Sequence, residues 1–158
     1  MKFLFALFFF ASPALTAPKA VNKEDAAVAE ALDLWHMAAS QHAEDAYFSL
    51  MTKDGVFLGT DPHERWTRPE FQKWAHPIFA KGKGWTIKSV KRNIFLGADK
   101  RVAWFDEDVL SEELGPARGS GVLVKDKGKW KVAQYNLSVP IPNDKFEDAR
   151  KLFSGKAK

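Results

Sequence analysis

The chain has 158 residues, with 24 basic against 20 acidic side chains and a net charge of +4. It contains no cysteine, which excludes a disulfide framework, a thiolate metal site and a lipid-modified N-terminal cysteine. The basic residues are scattered, and their densest group (Lys125, Lys127, Lys129, Lys131) brackets a hairpin tip instead of forming an aromatic-interleaved stripe, so nucleic acid is not an expected partner.

The N-terminus reads as an export signal. Lys2 precedes the apolar run Phe3 to Ala11, which suits a signal-peptide core and is too short to span a bilayer. Small residues follow, and residues 1–17 are assigned as the leader, with cleavage after Ala14 or Ala17. The expectation is a periplasmic or secreted protein that keeps no stable membrane anchor after cleavage. One domain, 22–153, then remains, with a fraying basic tail at 154–158. A core of this size buries about two thirds of the unfolded chain's surface.

Helical spacing begins at Val28 and recurs at Leu32, Trp35, Ala39, Ala43 and Ala46, with Asp25 or Asn22 as the start. Tyr47, Phe48, Leu50 and Met51 extend that face until "TKDG" breaks it. Val56 to Leu58 reads as a short strand. In "FLGTDPHERW", Asp61, Pro62 and Glu64 fit a helix start, while Trp66 is core or pocket wall. "TRPE" opens a further helix, with Thr67 as cap, Glu70 completing a capping box and Pro69 in the first turn. Pro77, Gly82 and Gly84 end it.

Strand-like runs follow at Trp85 to Leu96, Arg101 to Leu110, Ala117 to Lys125 and Trp130 to Pro140. The gaps "GADK", "SEELGP" and "DKGK" suit hairpins, so these strands form an antiparallel meander. A last helix spans Asp144 to Phe153. Helices segregated from an antiparallel sheet make an α+β domain.

The turn "DKGK" predicts which residues share a face. A three-residue loop needs positive φ only at Gly128, whereas a two-residue turn also imposes it on Lys127. The three-residue register pairs Lys125 with Lys129, Val124 with Trp130, Val122 with Val132, Ser120 with Gln134 and Arg118 with Asn136. One face then carries Arg118, Ser120, Gln134, Asn136 and Ser138 at its polar end, an expected pocket for a small polar or anionic ligand. The opposite face, with Ala133, Tyr135, Leu137 and Val139, needs a cover, and a homodimer through the sheet is expected to supply it. The alternative reverses the faces, making Ala133, Tyr135 and Leu137 core and leaving Gln134 and Asn136 wet. A symmetric loop in "SEELGP" places Glu107 beside Ser120 and diagonal to Arg118, although the turn leaves Asp106, Glu107 and Asp108 all open as the arginine's partner.

In order, "FLGTDPHERW", "GKGWTI", "AWFDE", "RGSGVLVKDKGKWKVAQYNLS" and "IPN" closely resemble bacterial SnoaL-like proteins of the nuclear transport factor 2-like superfamily. The resemblance covers nearly the whole mature chain. It implies a cone of curved antiparallel sheet around helices (a cystatin-like arrangement), an internal pocket and frequent dimers. Many relatives carry Trp-x-Ile-x-His-x-His-x-Ser on the last strand, with the histidines in the cavity; here Gln134 and Asn136 hold those places. Members include isomerases, cyclases, dehydratases and binding or assembly domains, so the fold does not select a reaction.

Three functions stay open. The first is a binding domain whose ligand meets Arg118. The second is an acid–base enzyme of isomerase, dehydratase or hydrolase type, using Asp61, His63 or Glu107. The third is a dimeric assembly domain. His36, His42, His63 and His76 show no metal spacing, Ser120 has no partner histidine, and Gly119 and Gly121 flank a strand instead of opening a helix. No metal or cofactor is expected.

Overall fold

Asn22 starts the first helix: its Oδ1 accepts the Glu24 backbone N–H at 3.1 Å. The computed structural model describes residues 22–154. The expected leader at 1–17 and the tail beyond Ser154 lie outside them, and Ser154 itself closes the last helix.

Helix α1 spans Lys23–Ser40 and buries Val28, Leu32, Trp35, His36 and Ala39. It does not run on to Met51. His42 takes a left-handed φ of 46° and interrupts the helical path, so Glu44–Ser49 forms a separate short helix, α2. Strand β1 occupies Met51–Leu58, and the expected break at "TKDG" is instead an irregularity inside this strand, between Met51 and Val56. Strand β2 (Arg65–Thr67) pairs antiparallel with β1. Helix α3 is Arg68–Phe79. Glu70 reaches back to its cap, accepting the Thr67 backbone N–H at 2.8 Å and the Thr67 hydroxyl at 2.7 Å. Pro77 sits inside its last turn and does not end it.

Strands β3 (Ile87–Leu96), β4 (Val102–Ser111), β5 (Gly115–Asp126) and β6 (Lys129–Ser138) form the antiparallel meander. Strand β1 joins β6 in parallel, giving one mixed six-stranded sheet in the order β2-β1-β6-β5-β4-β3. This is an α+β domain: an open, curved sheet with the N-terminal helices against one face. Beyond β6 come a single 3-10 turn, Asn143–Lys145, and helix α4, Phe146–Ser154.

The β5–β6 hairpin overturns the expected register. Its turn has two residues, with Lys127 at φ 48° and Gly128 at φ 81°, and Asp126 pairs with Lys129. The lysine therefore accepts the left-handed conformation that a longer loop would have spared it. Leu123 then faces Val132, but Val122 faces Gln134, so Ala133 is an extra residue on β6. Such a bulge reverses the side-chain alternation beyond it. Trp130 and Val132 before it, and Tyr135 and Leu137 after it, all point into the core. Ser120 pairs with Asn136 and Arg118 with Ser138.

The inner face is covered from within the same chain. Trp35 lies against Tyr135 at 4.9 Å and Tyr47 at 4.8 Å between ring centroids, and Phe57 stacks on Phe71 at 4.3 Å. The apolar face of β6 thus packs on helices, and the expectation that a second copy must cover it is corrected.

Candidate functional site

The expected polar pocket on β5 and β6 does not form in the interior. Gln134 is exposed, and Ser120, Asn136 and Ser138 are half-buried on the sheet's outer face. Arg118 is 57% exposed, with its Nε 3.7 Å from Asp108 Oδ1. The register gives Asp108 opposite Arg118, Asp106 opposite Ser120 and Glu107 opposite Gly119, so Glu107 is not the arginine's partner. The two positions that match the family's cavity histidines, Gln134 and Asn136, face outward here for the same reason: the bulge at Ala133.

Glu107 instead points into the core, with a fully buried side chain. Its Oε1 accepts from His36 Nε2 at 2.8 Å and from the Tyr135 hydroxyl at 3.1 Å, and its Oε2 accepts from Arg92 Nε at 2.8 Å. Arg92 continues outward, donating through Nη1 to Ala29 O and Asp33 Oδ1. Burial raises the carboxyl pKa, but the hydrogen bonds and charges of His36 and Arg92 outweigh it and hold Glu107 at about 2. Burial and the adjacent carboxylate push the Tyr135 phenol up. The carboxylate is ionised and both of its oxygens accept hydrogen bonds, so the cluster acts as a buried clamp joining α1, β3, β4 and β6. The alternation of β4 carried the signal for this cluster: Ala103, Phe105, Glu107 and Val109 share one face, and a lone acid among apolar neighbours needs partners.

The stretch from Gly59 to Glu64 is a turn, not a helix start. The Gly59 N–H donates to Glu64 O at 2.8 Å, closing the β1–β2 hairpin. Asp61 Oδ1 accepts the His63 backbone N–H at 2.8 Å and lies 3.0 Å from His63 Nδ1. The His63 and Asp61 side chains are 95% and 59% exposed, which places this pair in solvent and not in a cleft.

A half-open cavity of about 220 Å³ lies where the β1–β2 hairpin, α3, the β4–β5 turn and the end of β6 meet. Phe57, Trp66, Phe71, Trp74, Trp85, Leu114 and Leu137 wall it, and Glu64 and Glu113 supply its charge. Trp66 is thus a pocket wall, as one of its two sequence readings has it. The rings form a near-parallel cluster: Trp66 is 4.9 Å from Trp74 at 25° and 5.4 Å from Phe71 at 5°, and Phe71 is 5.8 Å from Trp74 at 23°. Trp85 lies 5.7 Å from Phe71 at 29°. Glu64 is held in place because its Oε2 accepts the Asp61 N–H at 3.2 Å and its carboxylate occupies the space a side chain on Gly59 would need. The β4–β5 turn is held by Ser111 Oγ, which accepts the N–H groups of Glu113 and Leu114 at 3.3 Å each. Sequence reasoning missed Trp74 and Trp85 as pocket residues, because helical or strand spacing marks a residue as apolar-facing without saying whether that face is filled.

Comparison with solved structures places this architecture. A nuclear transport factor 2-like protein of unknown function from Pseudomonas putida superposes with a TM-score of 0.61 at 10% identity, over 74% of this chain and 87% of that one. A protein with a cystatin-like fold from Nostoc punctiforme gives 0.60 at 17% identity, over 77% and 93%. A ketosteroid isomerase-like protein from Erwinia carotovora atroseptica gives 0.56 at 18%, over 77% and 99%. At such identities the likeness is one of fold. No curated protein matches this chain. The sequence profile of the SnoaL-like domain matches residues 28–142, which take in most of α1 and all six strands, and the chain belongs to that family.

Proposed function

We propose that this domain binds a small, flat, largely apolar molecule in the cavity between Trp66, Phe71, Trp74 and Trp85. The observation that carries this reading is the cavity itself: aromatic walls with a few placed polar groups are the usual form of a ligand site. Its volume of about 220 Å³ is below the range of roughly 300–1,000 Å³ common for drug-sized ligands, so it suits a small ring system or one end of a larger molecule. Binding without acid–base chemistry is favoured by Glu107. A general base works best with a pKa near the operating pH, and this carboxylate is held at about 2 by its partners. The test is a screen of aromatic and aliphatic compounds read by tryptophan fluorescence. Trp74→Ala should abolish binding of any hit while keeping the fold, and a hit that binds this variant undiminished overturns the reading.

We also infer a homodimer through the outer face of the sheet. Phe95, Trp104 and Val122 align across β3, β4 and β5, and Phe95 and Trp104 are 45% and 48% exposed. Exposed aromatic rows of this kind favour a covering surface, and a second copy presents a matching one. Sedimentation should give a dimer that Trp104→Glu converts to monomer. Export to the periplasm or medium is proposed from Lys2 and the apolar run after it. The mass of the protein recovered outside the cytoplasm should match loss of residues 1–14 or 1–17.

A further inference from the structure

We infer that the ligand of the tryptophan-lined cavity is an organic cation, a protonated or quaternary nitrogen carried on a flat ring. The inference rests on the binding reading above and names its ligand class.

The chain as a whole is basic, with 24 basic against 20 acidic residues. The cavity is not: its charged lining residues are Glu64 and Glu113, and among the described residues no lysine, arginine or histidine lines it. Both residues belong to organised turns. Glu64 accepts the Asp61 N–H and lies against Gly59, where an added Cβ would collide with it. The Glu113 N–H is fixed to Ser111 Oγ.

The walls favour the same charge. Trp66, Phe71 and Trp74 lie within 25° of parallel to one another, and Trp74 is 44% exposed, so the cluster presents an accessible indole. A planar ring adds to such a cluster by offset stacking on that indole. A positive nitrogen is further attracted by indole faces and by the carboxylates, whereas an anionic ring meets both as repulsion. Arg118, the expected partner of an anion, is on the other face of the sheet. Both carboxylates lie near solvent, so screening keeps the discrimination to several-fold.

Three probes with one ring and three charges test this: benzylammonium, benzyl alcohol and benzoate, titrated into the full domain. Binding is read from the indole N–H resonances of Trp66, Trp74 and Trp85 by NMR. Benzylammonium should bind roughly fivefold tighter than benzyl alcohol, with benzoate weakest. In the double variant Glu64→Gln, Glu113→Gln the cation and the alcohol should bind alike, with an unchanged circular dichroism spectrum. Benzoate binding as tightly as benzylammonium, or a cation preference that survives the double variant, overturns the charge assignment and leaves the site standing. Indole resonances unmoved by all three probes overturn the site and the charge assignment together.

Discussion

The Tyr135 hydroxyl lies where a side chain on Gly119 would begin, and Glu107 Cγ is 3.0 Å from the same point. Glycine at 119 is therefore a condition of the buried cluster: only a bare Cα on β5 lets Tyr135 reach across to Glu107 Oε1. Gly119→Ala should destabilise the fold by about 1–3 kcal/mol through overpacking, measured by urea denaturation. Adding Tyr135→Phe removes the clashing oxygen, so the double variant should lose less than the sum of the two single changes.

The buried carboxylate should make stability fall in acid. Glu107 has a folded pKa of about 2 against an ordinary value of 4.5. Its contribution is thus fully present above about pH 4.5 and disappears as pH falls toward 2, a change on the order of 3 kcal/mol. Glu107→Gln should cost roughly 3–5 kcal/mol at pH 7, because it leaves the buried Arg92 with only the exposed Asp33 as counter-charge. The variant's stability should also be less sensitive to pH within that window. Denaturation curves collected between pH 2 and 7 (about half-unit steps) check both points.

At the β5–β6 turn, Lys127 holds φ 48° next to Gly128 at 81°. Asparagine tolerates this region better than lysine. Lys127→Asn should therefore stabilise the domain by about 0.5–1 kcal/mol, seen as a raised denaturation midpoint at unchanged slope.

Arg118 and Trp74 should separate cleanly. The Arg118–Asp108 pair is more than half exposed on both sides, and such pairs contribute little. Arg118→Ala should change stability by less than about 1 kcal/mol and leave ligand affinity in the tryptophan cavity unaltered, whereas Trp74→Ala should remove that affinity. Isothermal titration with any ligand of the cavity distinguishes the two.

Much of the fold was legible in the residues. Thr67 and Glu70 announced α3 because a capping box is a local device, satisfied within one turn of chain. The short gaps between the last four strands announced the meander because a hairpin needs few residues and a parallel crossover many. The faces of β5 and β6 were not legible. They depended on whether the chain would place Lys127 at positive φ and on an extra residue at Ala133, and neither has a strong local signature. Each changes the count by one, and one residue is enough to send Gln134 and Asn136 to the opposite side.

The sequence by itself determined the α+β class, the capped helix α3, the four-stranded meander and the family, since these follow from short-range spacing and from motifs read along the chain. Only the tertiary structure decided that Glu107 belongs to His36, Arg92 and Tyr135 and that Trp66, Trp74 and Trp85 line one cavity. The reason is physical: those contacts join residues far apart in the chain, and their geometry is fixed by strand register and packing, which no local preference encodes.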